Sequence, residues 1–186
     1  MSGPSDRIVE QTLQDYLDKH YPEEELLEYV AGAETPSSWW EAIMGMWARR
    51  GYYLGLTKKR IVLIKLSFWT AMATDNISEI LLGRIEKIAL KRGMGLLNPT
   101  MAIHYGEGVR RRFIVGWTMK QSLEGFYETY EHLPKPMILT EEENRISSLA
   151  EEAYKRETRK RMIWTTIIIV VLVVLVLSIS CCCLFP

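Results

Sequence analysis

Near the start of the chain, apolar and polar positions alternate with the spacing of a helix. Over 6–20 the apolar residues Ile8, Val9, Leu13 and Leu17 fall on one face, which predicts an amphipathic helix. The apolar stripe of this helix has to be covered, either by the rest of the chain or by a partner. The spacing leaves both possibilities open.

A strand and a second helix are predicted before residue 51. The strand covers 24–33. Ser38 followed by Glu41 is a capping-box pattern, and it predicts a helix that runs to about Arg50. Large aromatic side chains on such a helix belong to the core, to a partner-binding surface or to a belt at a bilayer interface. The tryptophans of this helix are Trp39, Trp40 and Trp47.

The centre of the chain changes to a strand spacing. Two hairpins are indicated by short turns between apolar runs, the first at Lys58-Lys59 and the second at Gly106-Glu107-Gly108. An amphipathic helix over 120–133 closes this region. The predicted strands cover 52–57, 60–66, 69–73, 77–82, 85–90, 101–105 and 111–115.

The last part of the chain predicts one long helix. Thr140 and Glu143 form a second capping box, and the helix over 140–161 is acidic in its first turn and basic in its last turns. It leads into 162–185, which holds 24 residues without a charge. At 1.5 Å per residue this run is roughly 36 Å long, enough to cross a hydrocarbon core of about 30 Å. The pattern therefore predicts a transmembrane helix at 162–185.

Basic residues before this run determine the predicted topology, because Lys and Arg collect on the cytoplasmic side of a span. The expected protein is integral, single-pass and tail-anchored, with a cytoplasmic N-terminal domain and its C-terminus on the far side. Which membrane it enters is open, and so is whether Cys181–Cys183 end the helix as small apolar residues or are acylated. The predicted membrane-flanking residues are Arg159, Lys160, Arg161 and Trp164.

Charge is zero overall but strongly segregated. Residues 1–57 hold 10 acidic and 4 basic side chains, whereas residues 58–120 hold 4 acidic and 12 basic ones. The three histidines have no metal-ligand spacing, and no phosphate loop, nucleophile motif or carboxylate pair is present. No platform of aromatic and basic residues for stacking bases is visible either. The sequence therefore predicts a protein that is not an enzyme, with no metal, no cofactor and no nucleic-acid partner.

The run YYLGLTKKRIVLI, residues 52–64, resembles the signature of pleckstrin-homology-like (PH-like) domains, particularly the bacterial PH-like group. In that group an aromatic strand leads to Leu-Thr, polar residues, an arginine and an aliphatic strand. The run ILLGRIEKI, residues 80–88, resembles the family's strand that ends in a polar-Ile step. The glycine loop at Gly93, the second hairpin and the closing helix also fit. The likeness covers roughly 24–133, and the tryptophan-rich helix is an insertion in the simplest PH order.

This resemblance implies an α+β fold, namely a partly open, seven-stranded antiparallel β-barrel capped by a C-terminal helix. The sequence adds a juxtamembrane helix and one transmembrane helix. The expected organisation is an N-terminal amphipathic helix at 1–23, a PH-like domain at 24–133, a linker with the juxtamembrane helix at 134–161, and the transmembrane helix at 162–185.

Clustered cations are the candidate binding residues, because they suit polyanionic headgroups and arginine can hold a phosphate by two parallel hydrogen bonds. Strand alternation places Arg110 and Arg112 on the same face, pointing outward if Phe113 points inward. A solvated rim would explain the same pattern. The candidate residues for binding lipid or an anionic surface are Lys58, Lys59, Arg60, Lys65, Lys91, Arg92, Arg110 and Arg112.

Two functions are consistent with these patterns. The first is a membrane-anchored PH-like domain that binds membrane lipids or a membrane-proximal protein partner. The alternative is a membrane-tethered scaffold that forms homo-oligomers or recruits a partner, without lipid recognition. Its contacts would come from the juxtamembrane helix and from the tryptophan-rich helix, whose candidate partner-binding residues are Trp39, Trp40 and Trp47.

Overall fold

The structure is a computed structural model that describes residues 4–35, 50–67, 72–91, 98–106, 108–134 and 139–184. It divides into two compact units, Met1–Glu151 and Glu152–Pro186. The helices of the described part are α1 (Pro4–His20), α2 (Lys120–His132) and α3 (Glu141–Leu184), with short 3₁₀ helices at Leu82–Arg84 and Trp117–Met119. The strands are β1 (Glu28–Glu34), β2 (Arg50–Leu56), β3 (Arg60–Leu66), β4 (Ala73–Leu81), β5 (Ile85–Lys91), β6 (Thr100–Tyr105) and β7 (Val109–Val115).

The seven strands form one antiparallel sheet in the order β4-β3-β2-β1-β7-β6-β5. Strand β1 is central, because it pairs with β2 over its whole length and with β7 at Gly32–Glu34. A Cβ at Gly32 would lie 3.1 Å from the carbonyl oxygen of Ile114, so a residue without a side chain suits this crossing point. The fold is α+β, and β4 and β5 are the two edges of the sheet.

The inner side of the sheet holds the main core. Alternation turns Leu54 and Leu56 of β2 and Ile61 and Leu63 of β3 inward, and each of them is fully buried. Helix α2 packs against β1. This helix buries its own apolar stripe, which consists of Leu123, Phe126 and Tyr130.

Helix α1 docks on the outer side of β3. Val9, Leu13 and Leu17 are buried in one cluster with Val62 and Ile64. The stripe predicted on this helix is therefore covered by the chain itself. Burying a leucine or isoleucine side chain contributes about 1.5–3 kcal/mol, so this contact holds α1 on the sheet.

Element bounds differ from the predicted ones in a few places. Strand β1 begins at Glu28 instead of residue 24, and β4 is one strand of nine residues from Ala73. Most of the strand predicted at 69–73 lies outside the described residues, as does the tryptophan-rich helix.

The capping box at the start of α3 is confirmed. The backbone N–H of Thr140 donates to Glu143 Oε2 at 2.9 Å, and the backbone N–H of Glu143 donates to Thr140 Oγ1 at 3.3 Å.

The predicted transmembrane helix is wrong. Within the part of the chain that the structure describes, no helix has both the length and the apolarity to cross a membrane. The fold class is corrected accordingly: the described residues form an α+β fold in which no helix qualifies as membrane-spanning. The localisation derived from that helix, an integral, single-pass, tail-anchored protein with a cytoplasmic domain, is corrected with it.

Candidate functional site

The β6–β7 hairpin aligns the residues of the candidate site. Its turn contains Gly106 and Gly108 with φ values of 56° and 73°, which a glycine adopts without steric cost. The turn fixes the register so that His104 lies opposite Arg110 and Ala102 lies opposite Arg112. Strand β6 also pairs with β5, and in that pairing His104 lies opposite Lys87.

This register brings cations from β5 and β7 onto the outer side of the sheet. The residues between them, such as Ile88, Ile103 and Phe113, are buried on the inner side. Neighbouring strands lie about 4.8 Å apart, so the three strands span about 10 Å. We call this surface the basic face, and we define it by Lys87, Lys91, His104, Arg110 and Arg112.

The basic face has charged side chains at its periphery and small side chains at its centre. Lys87, Lys91, Arg110 and Arg112 are exposed. Between them lie two alanines that pair with each other across β5 and β6, Ala89 and Ala102. Among the described residues, the centre of this surface therefore consists of small side chains, of which Ala89 is exposed and Ala102 is buried.

His104 is half-buried between the charges of the basic face. Burial, and then the positive charges of Arg110 and Lys87, lower the pKa of His104 below its ordinary value. Arg112 lowers this pKa too, whereas Glu86 raises it. The cations beside His104 therefore add to the effect of burial on this pKa.

Arg111 is not part of the basic face, although it lies between Arg110 and Arg112. It is 3% exposed. Its Nε donates to Glu34 Oε1 at 2.7 Å, and its Nη1 donates to Ser78 Oγ at 3.0 Å. Burial disfavours the charged guanidinium, but Glu34 outweighs burial and raises the pKa of Arg111. This arginine belongs to the core.

Arg60 is also held inside the molecule. It is 9% exposed, and its Nη1 and Nη2 contact Glu79 Oε2 at 2.7 Å and Glu24 Oε1 at 2.9 Å. Its guanidinium lies 3.7 Å from the ring centroid of Tyr21, and the hydroxyls of Tyr16 and Tyr21 donate to Glu79. Arg60 thus connects the end of α1 to β3 and β4, and its guanidinium is used internally.

Thr57 gives the preceding turn its shape. Its buried hydroxyl donates to Glu24 Oε2 at 2.7 Å and accepts from the backbone N–H groups of Lys59 and Arg60. In this structure the Leu-Thr…Arg pattern therefore builds the β2–β3 turn and its ion pairs. Lys58 and Lys59 remain exposed at the turn.

The other predicted site residues lie apart from one another. Lys65 is half-buried near the end of β3, at the opposite end of that strand from Lys58 and Lys59. In the second unit Arg159 and Lys160 are exposed, and Trp164 is 65% exposed. Arg161 lies within α3. Outside the described residues are Arg92, Trp39, Trp40 and Trp47.

Two members of the basic face, Lys87 and His104, were missed among the candidate site residues. Alternation around the apolar Ile88 would have placed Lys87 and Lys91 on one side of β5. The neighbourhood of His104 depends on cross-strand register, which the local pattern does not contain. Among the described residues, no group of three or more His, Cys, Asp or Glu is placed to hold a metal ion.

Comparisons with known proteins give no family for this chain. No family model matches it, and no curated protein matches it. One similar solved structure is the C-terminal domain of an unknown protein from Leishmania infantum. It has a TM-score of 0.45 and 13% sequence identity, and the match covers 64% of this chain and 98% of that chain.

A second similar structure is the hSac2 domain from human phosphoinositide phosphatase Sac2. It has a TM-score of 0.41 and 15% sequence identity, and the match covers 82% of this chain and 86% of that chain. At these TM-scores, neither similarity carries an argument about what this chain is or does.

Proposed function

We propose that this chain is a PH-like binding module that attaches peripherally to anionic lipid surfaces through its basic face. The PH-like assignment is supported by seven antiparallel strands, by a first strand that pairs with both β2 and β7, and by a helix after β7 that packs on β1. The single observation that carries the binding proposal is the basic face. The proposal needs no membrane-spanning segment.

Charge provides the affinity. Each Lys or Arg near an anionic leaflet contributes about 1 kcal/mol, so four exposed cations contribute about 4 kcal/mol, less the opposing effect of Glu86. Such attraction is screened over a Debye length of about 8 Å at physiological ionic strength. Binding should therefore weaken steeply as salt is added.

The shape of the face favours lipid over protein. Protein interfaces place aromatic or other large side chains at their centre and are depleted of charge there. The basic face has the opposite arrangement, with Ala89 and Ala102 at the centre and cations around them. A broad, positively charged surface of this kind fits a plane of headgroups better than it fits a protein pocket.

The test is flotation of the purified full-length chain with vesicles of phosphatidylcholine, with and without phosphatidylglycerol. The double variant Arg110→Ala/Arg112→Ala should lose about 2 kcal/mol of binding to the anionic vesicles, or about thirtyfold in affinity. The matched control Arg7→Ala/Lys19→Ala removes two exposed cations from α1 and should bind like the wild type.

A third variant, Lys58→Ala/Lys59→Ala, separates the basic face from the β2–β3 turn. We expect it to bind within a fewfold of the wild type. Loss of binding in this variant, with retention in Arg110→Ala/Arg112→Ala, would move the site to the turn. Absence of binding to anionic vesicles by the wild type would remove the proposal altogether.

A further inference from the structure

The basic face contains one histidine, His104, which can titrate near neutral pH. His104 on β6 lies directly between Lys87 on β5 and Arg110 on β7 in the strand register. Residues that face each other in this way have Cβ atoms about 4.5–5.5 Å apart. Its imidazole is half-buried, so it senses the two flanking cations in a medium less polarisable than water.

We propose that His104 gains a proton when the basic face meets an anionic lipid surface, so that binding strengthens as the pH falls. This inference rests on the proposed function, because it concerns the same face. It adds a regulatory property that the exposed arginines and lysines lack, since they keep their charge across the physiological range.

The charged groups that face His104 come from the two strands packed beside it. Lys87 and Glu86 lie on β5, and Arg110 and Arg112 lie on β7. In the free protein, burial and the cations disfavour the imidazolium, and Glu86 opposes them only in part. Anionic headgroups above the face offset the repulsion between the cations and a protonated His104. The imidazolium is therefore more stable in the bound state than in the free state.

The sign of the pH effect follows from this difference. The pKa of His104 is higher in the bound state than in the free state, so binding takes up a proton. Affinity is constant above the bound-state pKa, rises as the pH falls between the two pKa values, and is constant again below the free-state pKa. Each unit of separation between the two values gives up to tenfold in affinity. A free pKa below the ordinary value of about 6.5 puts this window in the mildly acidic range.

Two other histidines provide matched controls. His20 lies at the end of α1, where its ring contacts the ring of Tyr16. His132 lies at the end of α2, and its Nδ1 is hydrogen-bonded to the carbonyl oxygen of Glu128. Both are exposed, and both lie outside the strands that form the basic face.

The experiment measures the affinity of the full-length chain for phosphatidylglycerol-containing vesicles at about pH 7.5 and about pH 5.5. The phosphodiester of this lipid stays ionised throughout, so the lipid charge does not change. We expect the wild type to bind about threefold to tenfold more tightly at the lower pH. His104→Asn should lose most of the pH dependence, whereas His132→Asn should keep it.

A wild-type pH dependence that persists in His104→Asn would overturn the inference, because another titrating group would then account for it. A second measurement uses the unmodified chain: an NMR titration of the His104 ring with and without anionic nanodiscs, in which the pKa should rise on binding. An unchanged pKa would also overturn the inference. Neither result bears on the proposed function. That function fails if the wild type does not bind anionic vesicles, or if Arg110→Ala/Arg112→Ala binds them as well as the wild type does.

Discussion

Three consecutive arginines on β7 have different environments, because strand alternation turns only the middle one inward. Arg110 and Arg112 are exposed, whereas Arg111 is buried against Glu34. Charges are rarely buried without a partner, because desolvation costs several kcal/mol per ion. The Arg111–Glu34 pair is therefore sensitive to loss of either member.

Replacing Arg111 tests this arrangement. Arg111→Leu leaves the buried Glu34 carboxylate without its guanidinium and should lower the free energy of unfolding by about 3–5 kcal/mol. The matched control, Arg112→Leu, changes an exposed neighbour and should stay within about 0.5 kcal/mol. Urea unfolding followed by tryptophan fluorescence measures both, and equal losses in the two variants would contradict the assignment.

The sequence predicted the outward pair Arg110 and Arg112 but not the partner of Arg111. Alternation is a local rule, and it applies to any strand with one apolar neighbour such as Phe113. Glu34 lies 77 positions away in the sequence, and only the pairing of β1 with β7 brings it close. The burial of Arg60 escaped prediction for the same reason, since Glu24 and Glu79 lie 36 and 19 positions away.

The start of α3 and the β6–β7 turn meet through a buried carboxylate in the first compact unit. Arg84 donates from Nη2 to Glu151 Oε2 and from Nη1 to Asn144 Oδ1, each at 2.7 Å. The backbone N–H of Gly106 donates to the carbonyl oxygen of Arg84 at 3.0 Å. Glu151 is 5% exposed and lies directly beside Gly106, where a Cβ atom would overlap with the carboxylate.

Two glycines of one turn allow this contact to be tested. Gly106→Ala and Gly108→Ala both place a side chain at a positive φ, which costs roughly 1–2 kcal/mol. Only Gly106→Ala also displaces Glu151, because a Cβ at Gly108 meets nothing within 4 Å. We expect faster amide exchange over 144–151 in Gly106→Ala than in Gly108→Ala. Equal exchange in the two variants would contradict the contact between Glu151 and the β6–β7 turn.

At the scale of elements, the hairpins, β5 and α2 could be predicted because their signals are local. The turn residues, the apolar alternation and the helical stripe each lie within about 15 positions. The capping box located the start of α3 equally well, since Thr140 and Glu143 bond to each other. The contact of Glu151 with Arg84 spans 67 positions and has no local signal.

For the molecule as a whole, composition alone shows that the segment 58–120 is basic. It does not show where the cationic side chains of this segment lie in the folded chain. Arg60 and Arg111 form buried ion pairs with Glu24 and Glu34, and Arg84 forms an ion pair with Glu151. The exposed cations among the described residues of this segment then lie in the β2–β3 turn and on the basic face. The prediction of a transmembrane helix at 162–185 was wrong: among the described residues, no helix is both long and apolar enough to span a membrane.

The most direct test of the account is a lysine footprint on the unmodified chain. Lysines are acetylated with and without anionic vesicles, and the modification of each one is read by mass spectrometry. Four exposed lysines report on the two candidate surfaces. We expect vesicles to protect Lys87 and Lys91 on the basic face and to leave Lys58 and Lys59 reactive. Protection of Lys58 and Lys59 alone, or of none of the four, would contradict it.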